Sequence, residues 1–194
     1  MKPNFRMELV LVALVCLLPV VGAYVLYYYG SPGELPRLEN EERRLYEPAI
    51  PLPAVSGRTA DGRTVDTLWL QPRWSLIYAR TSPCDERCLH DLVRLYQVHA
   101  SLGRDQDRMQ RVYLGVGGDS LSSEGRVGAA GRLDSAGGER FLRLLDSLGE
   151  PPGEGGRIYV ADPHGNLVLS YPPDAGQEGL RDDLERLLDV SRIG

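Results

Sequence analysis

Two cysteines, Cys84 and Cys88, stand four residues apart in the stretch YARTSPCDERCLHDL, between an apolar run and a helix-like one. Two thiols at this spacing can exchange disulfides, hold a soft cation such as Cu(I), or close a staple. In a regular helix, Cα atoms four residues apart are roughly 6 Å apart, near the upper end of the disulfide range, so a slight distortion permits the bond. A staple over so short a loop stabilises little. The third cysteine, Cys16, lies in an apolar N-terminal run, and three cysteines are too few for a disulfide-built scaffold. Two inert, buried cysteines are the bland alternative.

The local sequence gives the pair an address. Ser82, Pro83 and Asp85 form a helix-start signal: serine caps, proline suits the first helical position, and the carboxylate stands three residues after the serine. On this reading Cys84 lies in the first turn, where free backbone N–H groups and the helix dipole favour a thiolate. Asp85 and Glu86 oppose that effect, and Arg80 and Arg87 partly offset them. These opposing charges leave the net direction open. The expectation is that Cys84 is the more exposed, attacking thiolate and Cys88, one turn on, its resolving partner, both being the ligands if Cu(I) binds. The histidines add little. His90 is about 200° around the helix from Cys88 and faces away, and His99 is packed or solvated.

The elements that must position the pair follow from periodicity. TADGRTVD carries a DG turn between short polar strands. RWSLIYA is apolar on both faces, as suits the middle of a sheet. The cysteines come next, and then a helix whose apolar positions are Leu89, Leu92, Val93, Tyr96 and Ala100. RVYLGV is a second strand, residues 117–138 are loop-like, and ERFLRLLDSL is an amphipathic helix. RIYVA and NLVLSY flank the turn DPHG, and the final helix aligns Leu180, Leu184, Leu187 and Leu188. Strand, helix, strand implies a parallel pair with a crossover helix, and the closing hairpin adds antiparallel strands. The expected fold class is α/β, a thioredoxin-like sandwich with a central mixed sheet and flanking helices.

Ahead of this domain, residues 9–29 contain no charge and four tyrosines crowd their far end. A helix of that length spans about 30 Å, the thickness of bilayer hydrocarbon. Residues 1–8 are then a cytoplasmic tail, 9–29 a transmembrane anchor, 30–50 a Pro-, Glu- and Arg-rich tether, and 51–194 the domain. Lys2 and Arg6 before the span orient the domain outward. A signal-peptidase site at VGA competes with the anchor, but the apolar stretch continues past it; Cys16 lacks the small preceding residue of a lipidated cysteine. Lys2 is the only lysine among 22 basic residues, a hint of a GC-rich bacterial source. The expected location is therefore the bacterial inner membrane, single-pass, with the domain in the periplasm. A net charge of −5 argues against a nucleic-acid partner.

The run SLIYARTSPCDERCLHDLVRLYQVHASL resembles the active segment of the Sco/SenC family of membrane-anchored thioredoxin-like proteins, and YVADPHGNLVLSY resembles their DPxG hairpin. The resemblance implies a role in assembling the copper centre of a haem-copper (cytochrome c) oxidase, by delivering copper, by keeping its cysteines reduced, or both. It implies copper or electrons as the cargo, and an oxidase subunit or another assembly factor as the partner. It also implies a histidine ligand just before the strand that leads into the hairpin. EPPGEGGRIYV has none there; His164 follows several residues late, in the turn, and reads as an exposed turn histidine rather than a third ligand. The acidic loop expected after the second strand is reduced to Asp119. Two rivals remain. TSPC supplies the Thr-x-x-Cys of a thiol peroxidase, though Ile77 stands where those enzymes place proline. A scaffold with vestigial cysteines that binds an oxidase subunit or assembly factor is the other.

Overall fold

A computed structural model describes residues 15–18, 21, 43–58, 63–65, 72–116, 129–133 and 136–191. The chain divides into two units, Met1–Glu39 and Asn40–Gly194. In the first, residues 15–18 and 21 are helical and exposed. The expected span over 9–29 otherwise lies outside the described residues, and no helix among those is long and apolar enough to cross a membrane.

The second unit is built on one mixed sheet. Its strands are β1 (Arg44–Pro51), β2 (Gly57–Arg58), β3 (Thr64–Val65), β4 (Trp74–Ala79), β5 (Met109–Gly115), β6 (Ala129–Arg132), β7 (Arg157–Ala161) and β8 (Asn166–Tyr171), in the spatial order β1-β8-β7-β4-β5-β6-β2-β3. Helix α1 (Glu86–Ser101) connects β4 to its parallel neighbour β5. Helix α2 (Ala136–Ser147) precedes β7, and α3 (Gln177–Val190) closes the chain. The parallel pair with its crossover helix, the β7–β8 hairpin and the small β2–β3 hairpin all stand as the periodicity required.

Strand β4 lies between β5 and β7, and all six of its residues are buried. A strand enclosed on both faces needs an apolar side chain at nearly every position, which WSLIYA supplies. Trp74, Leu76 and Tyr78 face one core with α1 and α3; Ile77 and Ala79 face the other with Phe141 and Leu145 of α2. The one polar residue, Ser75, accepts a 2.8 Å hydrogen bond from Gln110 Nε2 on β5. Leu180, Leu184 and Leu188 of α3 are buried as a single stripe, with Leu187 at its margin.

Three expectations need correcting. Residues 44–50, assigned to the tether, belong to β1, an edge strand antiparallel to β8. Their charged and proline-rich composition suits a solvent-facing edge, where Pro48 withholds no needed ladder donor. Tyr46 anchors the strand, its buried hydroxyl 3.2 Å from Ser170 Oγ. Residues 129–132, read as loop, form β6. AAGR carries no strand signal of its own; parallel pairing with β5 and antiparallel pairing with β2 hold it.

The third correction is the face of α1. The buried residues are Cys88, Asp91, Leu92, Leu95 and Val98, whereas Leu89, Val93 and Tyr96 are 42%, 38% and 43% exposed. The apolar residues of this helix cover more than half its circumference, so spacing alone selected the wrong edge of the arc. The Arg111 guanidinium stands 4.7 Å from the centre of the Tyr96 ring, giving that exposed aromatic a cationic partner.

Candidate redox site

Chain direction fixes the place of the cysteines. They follow the carboxyl end of β4, the crevice where open α/β sheets concentrate their chemistry. Arg80 N–H donates to Leu114 O of β5 at 3.0 Å, and Thr81 N–H donates to Gly153 O at 3.0 Å. The approach to the pair is thus held between β5 and the loop before β7. Cys84 and Cys88 are joined by a disulfide, with Cα atoms 5.3 Å apart. Cys84 is half-buried and Cys88 fully buried, so Cys84 Sγ is the sulfur open to attack.

The helix begins later than the sequence suggested. Asp85 is the N-cap, its Oδ1 accepting from Cys88 N–H at 2.9 Å, and the first helical residue is Glu86. Cys84 therefore precedes the cap, and Cys88 occupies the third helical position. Arg80 decides this outcome. Its buried guanidinium donates through Nη1 to Asp85 Oδ1 at 2.8 Å and through Nη2 to Oδ2 at 3.3 Å. It also holds Ser82 Oγ, through Nε at 3.0 Å and Nη2 at 2.6 Å. Ser82 then donates to Glu154 O at 3.0 Å, and so cannot cap. The Arg80 guanidinium, with the Cys88 N–H second, holds the Asp85 carboxyl far below the usual carboxylate range; Asp85 in turn raises Arg80 above its ordinary value.

Beneath the pair lie two stacked tyrosines, Tyr78 and Tyr113, with ring centres 6.2 Å apart. Tyr78 O–H donates to the buried carboxylate of Asp91 at 3.2 Å and lies 3.3 Å from Gly155 O. Burial first and the Asp91 charge second push this phenol well above its ordinary value. The loop over it must approach closely: Gly156 has φ +79°, and a Cβ there would fall 2.3 Å from the Tyr78 hydroxyl. Asp91 sits within reach of Arg94, with Nη2 3.7 Å from Oδ1, which lets a carboxylate occupy the buried face. Asp91 and Tyr113 were not singled out in the sequence. A charged residue three positions beyond Cys88 was the available signal, visible once the helix face is placed correctly.

The histidines stay apart from the sulfurs. His90 is 79% exposed on the outer face of α1. His99 Nε2 lies 2.9 Å from Gln106 O and 2.8 Å from Met109 O, at the far end of the same helix. His164 is exposed in the turn after β7, its N–H donating to Asp162 Oδ1 at 2.9 Å. Because β7 runs antiparallel to β4, with Arg157 beside Ala79 and Ala161 beside Ser75, that turn lies at the amino end of β4. His164 is therefore at the opposite end of the sheet from the cysteines and cannot join them at a metal. The 150–156 segment, where the resemblance implied a histidine, reaches Thr81 and Ser82, just before the pair, through Gly153 and Glu154, and it brings none. Among the described residues no cluster of three or more His, Cys, Asp or Glu side chains could hold a metal. Among the described residues, the Cys84 and Cys88 sulfurs are the soft donors at this site, and they offer themselves only once reduced. The described residues do not fit a three-ligand copper centre.

A family model described as transmembrane-like, thioredoxin-like, C-terminal domain matches residues 74–191. No curated protein matches the chain by sequence. Among solved structures, Arabidopsis thaliana ScoI with copper bound is similar over 74% of this chain and 100% of its own, at 17% identity and a TM-score of 0.53. A thiol:disulfide interchange protein from Bacteroides sp. is similar over 74% of this chain and 91% of its own, at 13% identity and a TM-score of 0.53. BsSco, a member of the Sco family of cytochrome c oxidase assembly proteins, is similar over 75% of this chain and 100% of its own, at 12% identity and a TM-score of 0.50. At these identities the likeness is one of fold.

Proposed function

From a chain that belongs to the transmembrane-like, thioredoxin-like C-terminal domain family, we propose a membrane-anchored, periplasm-facing thiol–disulfide exchange protein that serves the assembly of a haem-copper oxidase. The observation that carries this reading is the Cys84–Cys88 disulfide at the carboxyl end of the central strand, one sulfur accessible and the other buried. That asymmetry suits exchange. A partner thiolate attacks Cys84 Sγ and Cys88 departs; in the reverse direction Cys88 attacks the mixed disulfide and releases the partner. The bonded Arg80, Ser82 and Asp85 side chains keep the Cys84 approach and the start of α1 in place throughout. The oxidase partner rests on the sequence resemblance to Sco/SenC proteins, and one solved structure of this fold is named a cytochrome c oxidase assembly protein.

Copper delivery is the second reading. It draws on the ScoI fold neighbour, whose structure has copper bound. Here it would require Cu(I) held by two thiolates alone, so the exchange reading is preferred on the donor set. The decisive experiment uses the full chain in detergent. It measures the reduction potential of the pair and the copper bound to the reduced protein. Reversible reduction with little copper retained supports exchange, and one Cu(I) per chain lost in both Cys84→Ser and Cys88→Ser supports delivery. Deletion-strain oxidase activity fully restored by the double serine variant would leave only a scaffold role.

A further inference from the structure

The hydrogen-bond donors around the disulfide are almost all committed. The Arg80 Nε, Nη1 and Nη2 groups go to Ser82 and Asp85, Ser82 O–H to Glu154 O, Tyr78 O–H to Asp91, and Cys88 N–H to Asp85. Tyr113 differs. Its side chain is completely buried, and its hydroxyl has no hydrogen-bond partner among the described residues. An unmade buried hydroxyl bond costs about 1–3 kcal/mol, so the group needs a physical account.

Its placement supplies one. The ring rises along β5 towards the carboxyl end of the sheet, and a Cβ added at Gly115 would lie 2.1 Å from the hydroxyl. Tyr113 stacks on Tyr78 and shares a core cluster with Cys88, itself fully buried, and with Cys84 at its edge. Arg80 and Asp85, the two side chains that frame the pair, also act electrostatically on the Tyr113 phenol. The hydroxyl is therefore aimed at the underside of the site. In the oxidised pair it makes no hydrogen bond to either sulfur, as disulfide sulfurs are weak acceptors.

Resting on the thiol-exchange reading, we infer that Tyr113 is a positioning residue whose hydroxyl acquires its partner on reduction, donating to the Cys88 sulfur and stabilising the reduced pair. The reductant is a protein dithiol. Its first thiolate attacks Cys84 Sγ, and the Cys84–Cys88 bond breaks with its electron pair on Cys88 Sγ. The partner's second thiolate then attacks the mixed disulfide, releasing Cys84 as a thiolate and leaving the partner oxidised. Cys88 is fully buried; its backbone N–H is bonded to the Asp85 carboxylate, and Asp91 lies on the same buried face of α1. An uncommitted O–H is what a buried anionic sulfur lacks. Tyr113 keeps its proton, as burial raises its phenol above the ordinary value.

The test compares wild-type and Tyr113→Phe chains equilibrated against reduced and oxidised dithiothreitol, with urea unfolding of both redox forms. The expected result is a shift of roughly tenfold towards the disulfide, as for loss of one hydrogen bond to a charged group, or about 30 mV for a two-electron couple. The oxidised variant should be as stable as wild type or more so, and the reduced variant less stable. An unchanged ratio, or equal stability changes in both forms, overturns the inference and assigns Tyr113 to packing alone. Should the variant not fold, wild-type protein carrying 13C at tyrosine Cζ decides: the Tyr113 signal moves on reduction while those of Tyr159 and Tyr171 stay, or the inference fails. No step needs the physiological partner. A pair that reduces normally without the tyrosine effect rejects this inference alone; a pair that cannot be reduced rejects thiol exchange itself.

Discussion

At the scale of single residues, Arg80 organises the site. One buried guanidinium selects Asp85 over Ser82 as the cap, and so moves the start of α1 beyond Cys84. The Arg80–Asp85 pairing has a pH signature. Because the folded-state pKa of Asp85 lies below its unfolded value, its contribution to stability is fully present above that value, about 3.9, and is lost as pH falls below it. Asp85→Asn should therefore be less stable than wild type at neutral pH, with the difference shrinking below about pH 4. Thermal unfolding across pH 2–7 checks this, and a constant difference over the range would mean that the carboxylate charge is not what holds the cap.

At the scale of elements, α1 joins the core to the redox pair. Its buried face runs from Cys88 through Leu92 and Leu95 to Val98, while its apolar shoulder at Leu89, Val93 and Tyr96 remains open. Leu95→Ala should cost about 2–5 kcal/mol, as for a leucine removed from a packed core. Val93→Ser should stay within about 0.5 kcal/mol, as for a surface change. Urea unfolding of the two variants separates them, and equal costs would mean that the helix is rotated from the face described. The amphipathic pattern was legible as a helix because the spacing was right. Its orientation was not, because Asp91 reads as a solvent-side residue until Tyr78 and Arg94 are known to satisfy it.

At the scale of the whole molecule, the uncharged run at residues 9–29 and the cations before it give the proposal its topology. Alkaline phosphatase fused after Ser191 should be active in a bacterial host, and the same enzyme fused after Arg6 inactive. The reverse pattern would place the domain in the cytoplasm, where thiols are held reduced and the disulfide would not persist. The sheet also extends the domain backwards in the chain. Residues 44–51 complete its β8 edge, so what the composition marked as spacer is partly structure.

The sequence by itself determined the elements that bury residues at a regular period: the central strand, its crossover helix, the closing hairpin and the last helix. It also placed two thiols where that strand meets that helix. Those signals are local, since an apolar period of two or 3.6 is written in consecutive residues. Only the tertiary structure decided which residue caps α1, which face of α1 is inside, and that residues 44–51 and 129–132 are strands. It alone set His164 at the far end of the sheet and left Tyr113 O–H, in the core cluster it shares with Cys88, without a partner among the described residues. Each of these depends on a contact between segments distant in the chain, as Ser82 with Glu154, Tyr78 with Asp91 and β1 with β8. A pairing energy that exists only after the chain has folded leaves no mark on local spacing.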